Sequence, residues 1–319
     1  MVAVTSSVPL FPSIPLAEWT DTKDTLHRYA QIVGKIRLDQ GPERNHWWNV
    51  PFHLTGRGIT TRPMGRDTVF AIDFDFVDHR LEINTLSGDR VSFPLPGLSV
   101  ADFYERLLGS LGSLGVTVSI RPVPYDLADG TAFADDTIHA SYDRFWVTRY
   151  WQVLSQVALL LEEFAGRTYA KTSPVHHFWH TFDLAVTRFS DRRVEHPADV
   201  DPVTREAYSH EVISAGFWFG DENVPEPAFY AYAAPEPPGL TDEPLTPGEA
   251  RWVESRGAHL ALFRYEDARV APNPRDAVLD FFESAYTAAG TRAGWDLDRL
   301  RRPPVRATSA TRGAGSAGA

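Results

Sequence analysis

The chain contains no cysteine among its 319 residues. Disulfides, thiolate nucleophiles, zinc ribbons and chain-held iron–sulfur clusters are therefore excluded, and any metal site would have to use histidine, aspartate or glutamate. Lysine is also scarce, since only Lys23, Lys35 and Lys171 occur and arginine supplies nearly all of the positive charge.

Long apolar runs are missing too, because no stretch approaches the roughly 18 consecutive apolar residues of a membrane-spanning helix. The first residues lack the basic segment of a signal peptide and are interrupted by prolines. A formal net charge of -11 disfavours nucleic acid and anionic membranes as partners, because binding to phosphates requires clustered basic residues. We therefore predict an acidic cytoplasmic protein whose partner is a small-molecule ligand. The sequence indicates neither a cofactor nor an oligomeric state.

The composition is that of a packed globular protein, with 43% hydrophobic and 12% aromatic residues. In the first half, helical spacing of apolar residues predicts a helix over 22–38, and Ser99 with Asp102 resembles a capping box that opens a second helix. Segments of period two lie between these helices and predict an antiparallel meander. The predicted strands of this half are 52–60, 69–77, 80–84 and 90–93, with a short one over 116–123.

In the second half, residues 142–167 are apolar nearly all round, which predicts a long, central, buried helix. A further helix is predicted to begin at Asn273 and Pro274. The predicted strands between these helices lie near 181–189, 209–219, 227–234 and 258–265.

The order helix, four strands, helix occurs twice and predicts an α+β protein with two related halves. Each half would be a four-stranded antiparallel sheet with flanking helices, and the long helix would join them. We predict an extension over 1–14, halves over 15–141 and 142–300, and a disordered tail over 301–319. The likeness of His46-Trp47-Trp48 to His177-Phe178-Trp179 supports an internal duplication.

The most unusual polar stretch runs from Ser173 to Phe189. If it is extended, His176 and His180 share one face, while His177 and Asp183 share the other. If Pro174 starts a helical turn instead, the three histidines converge as ligands for one metal ion. The aromatic and β-branched content favours the strand, with histidines hydrogen-bonded in or beside the core.

A possible ion pair links this stretch to the next strand. Antiparallel pairing with both apolar faces inward would place Arg188 beside Glu211, which directly follows His210. Such a pair either closes the core or orients an anionic or carbonyl-bearing ligand.

A second group of polar residues lies in the first half. Asp73 and Asp75 share a strand face with His53, which is typical of a solvated face but would also suit Mg²⁺ or Mn²⁺. The candidates for metal ligands are therefore His176, His210, Asp73 and Asp75.

These stretches resemble a bacterial family of unknown function, DUF5996. The strings that carry the resemblance are NHWWNVPFHLTGRGITT, FAIDFDFVDHRLEI, SVADFYERLLGSLGSLGV, HASYD, SPVHHFWHTFDLAVTRFS, EAYSHEVISAGFWFGD and PAFYAYAAPEPPG, between Pro15 and Trp295. The resemblance implies no reaction. The family pattern VHFFWGSFDL differs here at His177 and His180, so a shared site would use His176, Asp183, Arg188, His210 and Glu211.

Three functions stay open at this stage. The first is binding of a small polar metabolite in an aromatic-lined pocket of the second half. The second is a hydrolase or lyase, with or without a divalent metal, in which His176 or His210 is the base, Asp183 or Glu211 orients it, and Arg188 stabilises negative charge. The third is a non-catalytic interaction module that exposes Trp218, Phe229 and Tyr230.

Overall fold

The protein is described by a computed structural model over residues 9–303, except 223 and 256. Within these residues it is an α+β fold with two antiparallel sheets. The helices are α1 (Thr20–Gln40), α2 (Val100–Ser113), α3 (Arg144–Ala165), α4 (Pro202–Ala207), α5 (Tyr265–Val270), α6 (Pro274–Arg292) and α7 (Leu297–Leu300). No helix in this part of the chain is long and apolar enough to cross a membrane.

The first sheet is a meander of five strands in chain order. Its strands are β1 (His53–Leu54), β2 (Gly58–Thr60), β3 (Phe70–Asp75), β4 (Arg80–Thr85) and β5 (Arg90–Pro94). The alternating residues Phe70, Ile72 and Phe74 are buried, and Phe74 stacks with Phe103 of α2 at 6.2 Å between ring centroids. The prediction of four strands is wrong here, because a turn closed by the bond from the Thr55 N–H to the Gly58 carbonyl divides the first one.

The second sheet has seven strands. They are β6 (Lys171–Thr172), β7 (His176–Phe178), β8 (Asp183–Arg193), β9 (His210–Trp218), β10 (Ala228–Ala234), β11 (Arg251–Ser255) and β12 (Ala258–Arg264). Their order is β11-β12-β10-β9-β8-β6, with β7 also paired to β8. The four-strand prediction is wrong for this half as well, because β6 and β7 are too short to show a period of two, and β11 had no predicted counterpart.

The two sheets meet at a bridge between Phe52 and His177. The Phe52 N–H donates to the His177 carbonyl at 2.8 Å, and the His177 N–H donates back at 3.1 Å. One cluster of buried residues extends through both halves, from Phe11 to Trp295. The sheets differ in size, and the structure does not confirm an internal duplication.

Helix α3 is amphipathic rather than buried all round, which corrects the sequence prediction. Leu159 is 68% exposed and Phe145 is 56% exposed, whereas Tyr150 is fully buried. A helix on one face of a sheet buries one stripe and leaves the opposite side to solvent. Tyr150 contacts the cores of both sheets, at 5.7 Å from Phe76 and 5.2 Å from Phe182.

The caps of two helices are confirmed. Ser99 and Asp102 form a complete capping box on α2, and the Asn273 side chain caps α6 ahead of Pro274. The strand predicted over 116–123 is wrong. Its backbone is bonded to side chains of α1 instead, with Asp39 accepting from the Ser119 N–H at 3.1 Å.

The ends of the described chain are packed against the fold. Phe11 and Ile14, within the predicted extension, are buried, and Phe11 lies 5.6 Å from the ring of Tyr265. Arg301 forms a bridge with Thr168. The predicted disordered tail lies outside the described residues from position 304 onward.

Candidate functional site

The two faces of the second sheet differ in chemistry. One face packs against α3 and α6 through residues such as Leu184 and Phe217. The opposite face carries an unusual density of polar and aromatic side chains, and we call it the polar face. Its members are His176 and Phe178 of β7, Asp183, Ala185 and Thr187 of β8, Ser214, Gly216 and Trp218 of β9, and Tyr230 and Tyr232 of β10.

A hairpin between β7 and β8 decides which histidine faces which way. His176 pairs with Ala185 and His177 with Leu184, so His177 turns to the core and His176 to the polar face. The sequence assignment of faces is wrong, because it assumed a continuous strand, whereas residues 179–182 form a turn that ends with Phe182 at a φ of 58°. The three-histidine helical turn is wrong for the same reason.

His176 is the least satisfied polar side chain of this face. Its ring is 1% exposed, and neither ring nitrogen has a hydrogen-bond partner among the described residues. The ring of His53 from the first sheet lies 5.4 Å away, and its Nε2 is also buried without a partner. Burial lowers the pKa of both histidines to about 3, so both are neutral at physiological pH.

The His53–His176 pair is costly for a fold to keep. A buried polar group without a hydrogen bond costs about 1–3 kcal/mol, and nearly all buried polar groups in native proteins have a partner. Trp48 lies beside His176, with ring centroids 6.3 Å apart and the ring planes at 67°. An unpaired buried imidazole between aromatic rings is the arrangement that a hydrogen-bonding ligand would satisfy.

Asp183 is the centre of a hydrogen-bonded network farther along the same face. The hydroxyls of Thr181 and Tyr230 both donate to its carboxylate. Burial raises the pKa of Asp183, and these two hydrogen bonds oppose the rise. Gly216 makes the contact possible, because a Cβ there would lie 2.5 Å from the Tyr230 hydroxyl and 2.6 Å from the Leu184 carbonyl oxygen. The missing side chain lets the phenol cross β9 and reach Asp183.

His210 lies at the start of β9, half-buried, on the edge of the polar face. Its ring is 5.7 Å from that of His46, whose Nε2 accepts a hydrogen bond from the Lys171 ammonium at 2.7 Å. The Lys171 ammonium also lies 5.2 Å from the Trp48 ring and 5.1 Å from the Phe189 ring. Burial lowers the pKa of Lys171. Trp48 therefore lies between His176 and the group formed by His46, His210 and Lys171.

Arg188 and Glu211 do not pair, which corrects the sequence prediction. β8 continues past Arg188 with a bulge, and Arg188 lies opposite Ile213. The guanidinium is buried between the rings of Phe164 and Tyr286, at 3.5 and 4.2 Å from their centroids. Its nearest carboxylate is that of Glu283, at 3.4 Å.

Glu211 lies at the edge of a separate cleft of about 260 Å³. It accepts a hydrogen bond from the Trp295 indole at 2.8 Å and pairs with Arg192 at 3.0 Å. Arg188 is therefore placed under the helices and Glu211 beside this cleft, away from His176.

The carboxylates of the first sheet have structural partners. Asp75 accepts from Arg57 at 2.6 Å and from the N–H groups of Val77 and Asp78, which closes a turn. Asp73 shares a face with His53, as predicted, but Thr60 lies between them in the register. Across the described residues, no group of three histidine, aspartate or glutamate side chains is placed to hold a metal ion. Metal binding by His176, His210, Asp73 or Asp75 therefore stays a prediction.

The rings predicted to form an exposed interaction surface are mostly buried, so that prediction is wrong. Phe229 is fully buried, Tyr230 is 7% exposed and Trp218 is half-buried.

Sequence reasoning also missed the pairing of His53 with His176 and the place of Lys171. Only the scarcity of lysine and the His-Trp-Trp string pointed to this region.

Comparisons with known proteins agree with the resemblance seen in the sequence. A model described as a family of unknown function, DUF5996, matches residues 11–302. No curated protein and no solved structure matches the chain. Because the match covers nearly the whole described chain, the protein belongs to the DUF5996 family.

Proposed function

We propose that this protein binds a small polar metabolite on the polar face, with His176 at the base of the site. The observation that carries the proposal is the buried imidazole with two unpaired nitrogens. A neutral imidazole offers one donor and one acceptor, so it suits a ligand with hydroxyl or carbonyl groups. Trp48 and Phe178 supply aromatic walls, as in many metabolite sites. For an acidic, cysteine-free chain we propose a cytoplasmic location.

Access to His176 would run through the turn that carries Trp48. His46 and Trp47 have φ angles of 55° and 58°, in the left-handed region that costs non-glycine residues on the order of 1 kcal/mol each. Movement of this turn would relieve that strain and uncover His176. The energy stored in the turn thus favours a site that opens for its ligand.

The proposal is tested by replacing His176 with phenylalanine, which keeps a planar ring of slightly larger size and has no polar side-chain atoms. We expect this variant to melt at a higher temperature than wild type, because about 1–3 kcal/mol of unsatisfied polarity is removed. We also expect it to lose the rise in melting temperature that a metabolite panel produces in wild type. The matched control is His259→Gln, because His259 already has a partner in Glu236 at 2.8 Å. A destabilised His176→Phe variant that still responds to the same metabolite would contradict the proposal.

A hydrolase or lyase is the second candidate, and the Asp183–Tyr230 contact favours it. Burial raises the pKa of the Asp183 carboxyl, and a buried carboxyl in contact with a phenol can serve as a general acid or base. Asp183 would act as the general acid or base, and Tyr230 would orient it or donate to the substrate.

This second candidate is tested by incubating the stabilising metabolite with the protein and following it by proton NMR. If the protein is an enzyme, Asp183→Asn and Tyr230→Phe should each slow turnover at least 100-fold, the usual size of a lost acid–base contribution. Tyr232→Phe is the control, because Tyr232 is bonded to Tyr208 at 3.0 Å rather than to Asp183. If wild type binds the metabolite but leaves it chemically unchanged, the enzyme hypothesis is contradicted and binding is the function that is still supported.

A further inference from the structure

Three arginines lie near the His53–His176 pair, and none of them forms an ion pair with a carboxylate of the described residues. Arg37, on the last turn of α1, is 6% exposed and donates from Nε to the Pro51 carbonyl at 2.7 Å. Arg62 lies two residues after Thr60, which pairs with His53 across the sheet. Arg44 precedes the turn that carries Trp48, and its N–H donates to the Asn49 side chain at 3.3 Å.

This concentration of positive charge is unusual for a chain with a net charge of -11. The other two buried arginines of the described residues each lie beside a carboxylate, Arg28 at 3.3 Å from Asp136 and Arg188 at 3.4 Å from Glu283. None of the carboxylates in the described residues pairs with Arg37, Arg44 or Arg62. The charges are close enough to act on one another, since Arg62 and Arg44 add to burial in lowering the pKa of Arg37 to about 10.

We propose that Arg37, Arg44 and Arg62 bind the anionic group, a carboxylate or a phosphate, of a ligand whose polar part reaches His53 and His176. This inference rests on the proposed function and names the class of ligand. Guanidinium groups bind both anions through paired hydrogen bonds. Arg37 is held in place by the Pro51 carbonyl, two residues before His53, so the buried cation and the unpaired imidazole are fixed on one segment.

The test measures binding of two probe anions, inorganic phosphate and malonate, by calorimetry and thermal shift. Sodium chloride keeps the ionic strength equal. We expect wild type to bind at least one probe and the double variant Arg44→Gln with Arg62→Gln to bind it at least tenfold more weakly. Both side chains are exposed, so the variant should fold, which circular dichroism checks. The matched control, Arg106→Gln with Arg251→Gln, removes the same charge from exposed positions elsewhere.

Each outcome has a distinct meaning. Loss of probe binding in the Arg44/Arg62 variant but not in the control variant supports the inference. The probe that binds more tightly then shows whether the site prefers a phosphate or a carboxylate. Equal loss in both double variants overturns it, because net charge would then be the cause. Failure of both probes, while a neutral metabolite binds wild type but not His176→Phe, overturns the anion site and leaves the proposed function standing. Arginine-dependent binding of a probe, with metabolite binding unchanged in His176→Phe, supports the anion site and sinks the proposed function.

Discussion

Acidification from pH 7 to about 5.5 is expected to lower the free energy of unfolding of this protein by on the order of 4 kcal/mol. Four histidines are buried in the neutral form, and burial is the main cause of the low pKa of each. The pKa is about 3 for His27, His53 and His176 and about 4 for His177. Protonating any of them in the folded protein would place a charge in the core.

Proton linkage sets the direction in which the free energy of unfolding changes with pH. An imidazole in the unfolded chain has a pKa of about 6.5, so below that pH the unfolded chain binds protons that the folded chain does not. The free energy of unfolding therefore falls as the pH falls from 6.5 toward 4. His27, His176 and His177 together cost on the order of 4 kcal/mol by pH 5.5, and His53 acts in the same direction. Domains are typically stable by about 5–15 kcal/mol.

Two carboxyls act in the opposite direction, because burial raises the pKa of Asp73 and Asp183 and their protonation favours the fold. They are outnumbered by the histidines. Urea unfolding followed by tryptophan fluorescence at pH 7, 6 and 5.5 checks this expectation. In His176→Phe the number of protons taken up on unfolding should fall by about one. Equal urea midpoints at pH 7 and 5.5 would show that these histidines are not buried as described.

Replacing Arg188 with alanine is expected to cost about 3–5 kcal/mol, the usual loss when one member of a buried charged contact is removed. The guanidinium is stacked between Phe164 and Tyr286 and donates to the Phe164 carbonyl. Alanine would leave a cavity between two aromatic rings under α3 and α6. The Phe164 carbonyl would also lose this side-chain donor.

Arg188→Met separates packing from charge. Methionine fills most of the same volume, and the buried Nε of Arg188 has no hydrogen-bond partner to lose. We therefore expect Arg188→Met to unfold within about 1.5 kcal/mol of wild type in urea. Arg192→Ala is the control, because the Arg192 side chain is 47% exposed and its pair with Glu211 should be worth at most about 1 kcal/mol. An alanine variant as stable as wild type would refute this account of Arg188.

Local structure could be predicted from the sequence where it depends on neighbours along the chain. The capping box of Ser99 and Asp102 and the start of α6 at Asn273 are set by side chains within three residues of the backbone that they cap. The alternation of Phe70, Ile72 and Phe74 likewise reports a half-buried strand directly.

The rest depends on contacts between distant segments. The turn before Asp183 reverses the chain and exchanges the faces of His176 and His177, which no periodicity reveals. The extension of β8 beyond Arg188 shifts the partner of Arg188 to Ile213. The His53–His176 pair forms only when both sheets are assembled. The sequence therefore grouped His53 with Asp73 and Asp75, and His176 with the polar stretch of the second half.

The bridge between Phe52 and His177 has a consequence for synthesis of the protein. The two residues are far apart in the chain, so closing the loop between them carries a large entropic cost before it brings any contact. During translation the first sheet can form before β7 has left the ribosome, but His53 then has no neighbour from the second sheet. Binding of the proposed ligand would therefore appear late, and that ligand, added during refolding, should bind completed chains and not half-folded ones.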